Sequence, residues 1–136
     1  KSSLQGLTCN KECKWLAEVG YHEARGESDK GVTAVMHVVL NRKNHDTMWP
    51  STVSGVVKQR AQFSYRHDGS LERGFKEKDQ YNRMVKLAKA VVHGKIEDPT
   101  DGAVFYHTKA VKPGWSKRVK KLDVIGSHIF YKLKEK

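Results

Sequence analysis

Tyr21-His22-Glu23-Ala24-Arg25-Gly26-Glu27-Ser28 joins one amphipathic helix to a second, far more apolar one, and the two readings together set the fold. Leu16, Val19, Gly20 and Glu23 stand at i, i+3, i+4 and i+7, so a helix through them puts Glu23 at the edge of its buried stripe. A carboxyl there is partly desolvated, which disfavours ionisation and raises its pKa toward the range a proton donor needs. Gly26 supplies the conformation that closes a helix, and Ser28 or Asp29 supplies a cap for the next. Spacing alone leaves Glu23 evenly balanced between a working acid and an exposed helix-end acid. Glu27 reads as an acid favouring the positive end of the following helix.

Upstream of the junction, Lys1 to Gly6 is a polar lead-in, and Thr8 or Asn10 can cap a helix reaching about Ala24. Downstream, Ser28 to about Arg42 carries Val32, Val35, Met36, Val39 and Leu40 with little polar interruption, which marks the central helix. His37 within it reads as a hydrogen-bonded core histidine. Pro50 and Ser51 open a short helix through Val53, Val56 and Val57, and Trp49-Pro50 reads as a packing corner. From Gln62 to Ser70 the apolar period shortens, and Phe63, Tyr65 and the Asp68-Gly69 pair predict a hairpin and a cleft wall. Lys78 to His93 returns to helical spacing and Gly94 closes it. Ala103 to His107 is a short strand, Pro113 to Trp115 a loop, and Val124 to Gly126 and His128 to Tyr131 are extended. Lys132 to Lys136 reads as a solvated tail. The expectation is an α+β, mainly helical fold with a small antiparallel sheet or hairpin.

A length of 136 residues with 38% hydrophobic content fits one compact domain over 1–136 with a real core. Its 26 Lys and Arg against 15 Asp and Glu give a formal charge of +11, which predicts an anionic partner: nucleic acid, an anionic membrane or a bacterial wall. There is no apolar run of about 18 residues, so no transmembrane segment is expected, and no signal-peptide pattern is present. The chain starts at Lys1 without an initiator Met, as it would if a leader or another domain had been removed. Cys9 and Cys13 fall four apart on the helical stripe, a poor geometry for a disulfide, and read as core-facing thiols.

Metal chemistry lacks support: the second histidine of a His-Glu zinc-protease helix would fall at position 26, which is Gly. No phosphate-binding loop, dinucleotide turn or serine elbow is present, so no cofactor is expected. Nucleic-acid binding is the rival from another class, on the strength of Lys117-Arg118 and Lys120-Lys121. However, the basic residues are scattered and no recognition element is evident, so no nucleic acid is expected. A non-catalytic wall-binding module would use the same aromatics without needing Glu23.

Ordered motifs then converge. Tyr21 to Glu27 is followed by Gly31-Val32-Thr33-Ala34-Val35, Val38-Val39-Leu40-Asn41-Arg42, Trp49-Pro50, Val53-Ser54-Gly55-Val56-Val57 and Gln62-Phe63-Ser64. Asp98-Pro99-Thr100, Gly102-Ala103, Phe105-Tyr106-His107 and Ile125 to Tyr131 complete the set. In these the chain resembles the cell-wall hydrolases of the spore cortex-lytic type, a lysozyme-like group that includes germination-specific lytic transglycosylases and phage-encoded enzymes. His22 stands where that family's signature has its first Gly.

The resemblance implies a lysozyme-like fold acting on peptidoglycan glycan strands, in the cell wall or periplasm, as a secreted or phage-encoded monomer. It implies Glu23 as the general acid, with Gln62, Phe63, Ser64 and Tyr106 lining the sugar cleft. Read as residues alone, Phe63 and Tyr106 are equally packing aromatics and Ser64 a strand-end cap. A transglycosylase needs no second carboxylate; a lysozyme-type muramidase would draw one from Asp46, Asp68 or Asp101.

Overall fold

The computed structural model describes residues 8–45, 48–59, 63–66 and 68–134. Asn10 caps α1 (Lys11–Ala24), its side chain accepting from the Cys13 amide at 2.9 Å. The buried face of α1 carries Cys13, Leu16, Ala17, Val19, Gly20, Tyr21 and Ala24. Ser28 caps α2 (Asp29–Lys43), in which every residue from Gly31 to Met36 is buried, along with Val38, Val39 and Arg42. Such girth-wide burial makes α2 the central helix, and each enclosed valine contributes roughly 1.5–3 kcal/mol. Short α3 (Val53–Lys58) starts three residues after the expected Pro50, because Thr52 caps it, its hydroxyl accepting from the Gly55 amide. Helix α5 (Lys78–Val92) packs on α1 and α2 and ends at Gly94, whose φ is 71°.

Gly20 sits where these three helices meet. A Cβ there would lie 2.8 Å from Met36 Cε and 3.1 Å from Met84 Sδ, so the absent side chain is what allows the close approach. His37 receives the partner expected of it, the carbonyl of Ile96 at 3.1 Å.

Three antiparallel strands, β1 (Phe105–Thr108), β2 (Val119–Ile125) and β3 (His128–Leu133), form a sheet in the order β1-β3-β2. Tyr106 pairs with Phe130, and Ile125 with His128 across a two-residue turn led by Gly126 at φ 59°. Lys132 and Leu133 belong to this sheet and not to a tail, because they pair with Lys120 and Val119.

Two further expectations are corrected. The segment after Phe63 is not a hairpin. Ser64–Arg66 forms a 3-10 turn, closed by the Arg66 amide on the Phe63 carbonyl, and Ser70–Arg73 forms the one-turn helix α4. The Asp68 carboxylate accepts from the Ser70 amide and hydroxyl, so it starts a helical turn where a strand reversal was expected.

Cys9 and Cys13 are joined in a disulfide, with Cα atoms 5.1 Å apart. The helix begins only after Asn10, so Cys9 is free of the helical register assumed for it and reaches a separation within the usual range.

Candidate active site

The last turn of α1 brings Glu23 to the rim of an open cleft of ≈ 420 Å³ between the helices and the sheet. The facing wall comes from β1 and the segment after it: Tyr106, His107, Val111, Pro113 and Trp115, with His128 from β3. Tyr106 donates its hydroxyl hydrogen to Glu23 Oε1. Glu23 Oε2 makes no hydrogen bond among the described residues. Burial raises the Glu23 pKa, opposed by the Tyr106 hydrogen bond and the positive charge of Arg42, with the field of Asp68 adding slightly to the rise. The same burial, reinforced by the carboxylate, lifts the Tyr106 phenol well above its ordinary range. The phenol therefore stays a donor.

Arg42 lies beneath this pair, 5% exposed, its Nε donating to the Val104 carbonyl at 2.7 Å. Its guanidinium sits 5.6, 5.8 and 5.9 Å from the ring centres of Trp49, Phe63 and Phe105. Burial lowers its pKa while Tyr106 and Glu23 hold it up, so a fixed positive charge underlies the acid.

Of the residues expected to line the cleft, Glu23 and Tyr106 are brought together. Phe63 is placed elsewhere, 2% exposed in the core, where its ring packs near the Arg42 guanidinium. Gln62 and the side chain of Ser64 lie outside the described residues, as does Asp46. Asp68 and Asp101 are exposed and do not line the cleft. Among the described residues, Glu23 is the one carboxylate on its walls.

His22, the departure from the family signature, stacks on Tyr65 with ring centres 4.5 Å apart. Burial lowers its pKa, and its Nε2 is enclosed without a hydrogen-bond partner among the described residues. His128, 4% exposed, meets the Tyr106 ring edge to face at 5.2 Å. Glu27 does more than favour a helix end, since its Oε1 accepts from the Ser127 amide at 2.9 Å and ties the α1–α2 junction to the β2–β3 turn. The described residues hold no group of three or more His, Cys, Asp or Glu side chains placed to share a metal ion.

Arg42, Trp115, His107 and His128 were missed as site residues. An aromatic in a polar loop was the usable signal for Trp115. For Arg42 there was none, because an arginine in the last turn of a helix is ordinarily a solvated cap.

The family model described as Cell Wall Hydrolase matches residues 26–131, starting just after Glu23. The chain belongs to the cell wall hydrolase family. It is similar to the spore cortex-lytic enzyme of Bacillus subtilis, 30% identical over 133 residues, covering 95% of this chain and 40% of that enzyme. The spore cortex-lytic enzyme of Halalkalibacterium halodurans is 33% identical over 122 residues, covering 89% of this chain and 34% of that one. The chain thus spans well under half the length of these relatives.

Among solved structures, the catalytic domain of the germination-specific lytic transglycosylase SleB from Bacillus anthracis superposes with a TM-score of 0.73 at 30% identity. The match covers 94% of this chain and 98% of that domain. The catalytic domain of Bacillus cereus SleB matches with the same TM-score at 29% identity, over 97% and 98%. The fold of this cell wall hydrolase is the mainly helical, lysozyme-like α+β fold expected from its sequence. No helix among the described residues is long and apolar enough to cross a membrane.

Proposed function

We propose that this chain, a single catalytic domain, cleaves peptidoglycan glycan strands between N-acetylmuramic acid and N-acetylglucosamine by a lytic transglycosylase mechanism, with Glu23 as its acid and base. One observation carries the reading: the cleft holds one carboxylate among the described residues, its pKa raised and one oxygen engaged by Tyr106. Protonated at Oε2, Glu23 donates to the bridging oxygen as the bond from muramic acid C1 breaks toward an oxocarbenium-like state. The resulting carboxylate then takes the proton of the 6-hydroxyl, whose oxygen bonds to C1 and closes a 1,6-anhydro ring. Neither water nor a second carboxylate enters.

Tyr106 positions the acid, and Trp115 offers an aromatic face for a sugar ring. Gln62 and Ser64 are proposed to hydrogen-bond the same strand, and Phe63 to support Arg42 from within the core. The substrate places the chain's work in the bacterial cell wall.

Mass spectrometry of digested walls tests this. Muropeptides ending in 1,6-anhydro-muramic acid are expected, one water lighter than reducing ends. A digest containing reducing ends alone would replace the mechanism with that of a muramidase.

A further inference from the structure

A second concavity, of ≈ 570 Å³, runs along the outer face of α1, with Lys11, Lys14, Trp15, Glu18 and Lys58 on its walls. Lys58 Nζ lies 5.0 Å from the Trp15 ring centre and the Arg66 guanidinium 5.2 Å from it, so the indole holds two cations at the groove. The nearby acids are committed elsewhere. Glu18 Oε2 accepts from Tyr65 at 2.7 Å and Arg66 at 2.5 Å, and Glu12 pairs with Lys43 at 3.0 Å.

The Lys11 and Lys14 side chains are exposed and make no hydrogen bond or ion pair with the described residues. Both stand at the start of α1, where the helix dipole disfavours positive charge. Stability alone does not favour gathering Lys11, Lys14 and Lys58 there, and a local rule broken in this way marks a functional position.

The groove also has a fixed relation to the cleft. Lys11, Lys14, Trp15, Glu18 and His22 follow one ridge of α1, and Trp15 precedes Glu23 by a helical rise of about 12 Å. A polymer seated at Glu23 and following this ridge passes the lysines.

We propose that this groove is an anion subsite that takes the carboxylates of peptide stems on the strand being cleaved. The inference rests on the proposed peptidoglycan substrate. The test measures wall binding in a Glu23→Gln background, comparing Lys11→Glu/Lys14→Glu with Lys120→Glu/Lys121→Glu, which makes the same charge change on β2. Three substrates are used: intact walls, walls stripped of phosphodiester polymers with hydrofluoric acid, and stripped walls whose stem carboxylates are capped as neutral amides with a carbodiimide and an amine.

Lys11→Glu/Lys14→Glu should bind intact and stripped walls roughly tenfold more weakly, and amide-capped walls within about twofold of the parent. The β2 pair should stay within about twofold throughout. Equal losses from both pairs would reduce the effect to net charge, and a loss that vanishes on stripping would assign the groove to phosphate; either overturns the proposal. Fragment release by the unmutated chain, run in parallel, separates the failures. Release with no effect of Lys11→Glu/Lys14→Glu on binding overturns the groove alone, whereas a chain that neither binds nor cleaves stripped walls overturns both readings.

Discussion

The Tyr106 hydroxyl donates to Glu23 Oε1 across the gap between the first strand and the end of the first helix, 83 positions apart in the chain. One contact thus spans the two layers and engages one of the two Glu23 carboxyl oxygens. Replacing Tyr106 by Phe keeps the ring and removes the donor. A hydrogen bond of this kind is worth roughly 1.5 kcal/mol or more to a charged acceptor, and about 1.36 kcal/mol corresponds to one pKa unit. The Glu23 pKa should therefore climb further, and the alkaline limb of the activity profile should move to higher pH. A pH–rate series on solubilised walls reads the shift; a limb that stays in place would exclude this coupling.

Glu23→Gln should lower activity about 10²–10⁴-fold, the usual contribution of a general acid. It should also stabilise the protein. The folded-state pKa of Glu23 is raised, so the unfolded chain ionises first as pH climbs, and the native state loses stability from the ordinary carboxyl range up to the raised pKa. Gln carries no such penalty. The melting temperature of Glu23→Gln should meet that of the parent in acid and exceed it near neutrality. Thermal melts at several pH values check the sign.

Arg42→Met should be among the most damaging single changes. It orphans the Val104 carbonyl and takes a positive charge from beneath Glu23. Breaking a buried charged cluster costs about 3–5 kcal/mol. Urea titration should show a loss on that scale, and Arg42→Lys, which keeps the charge without the planar fork, should recover only part of it.

What was legible in the sequence was whatever repeated. The apolar spacing through Leu16, Val19 and Gly20 placed α1 and put Glu23 at the cleft edge, and the valines of α2 announced the central helix. Local geometry without a period was not legible. Phe63 and Tyr65 alternate as in a strand, yet a 3-10 turn buries both. The burial of Arg42 was not legible because it depends on partners at Val104 and Tyr106 more than 60 residues away. Cys9 and Cys13 seemed ill placed for bonding only because Cys9 was drawn inside a helix that begins two residues later, at Lys11.

That disulfide makes a last prediction, from loop size. The closed loop runs from Cys9 to Cys13, and loop-closure entropy for so few residues gives about 2 kcal/mol at 25 °C. Cys9→Ser/Cys13→Ser should lose no more than this in a urea titration. The bridge sits at the opposite end of α1 from Glu23, some ten residues or about 15 Å from Cys13 along the axis. Fragment release at 25 °C should therefore stay within about twofold of the parent, because fraying the first turn does not reach the last. A tenfold fall in release by a folded variant would show that the N-terminal turn and the cleft are coupled through α1.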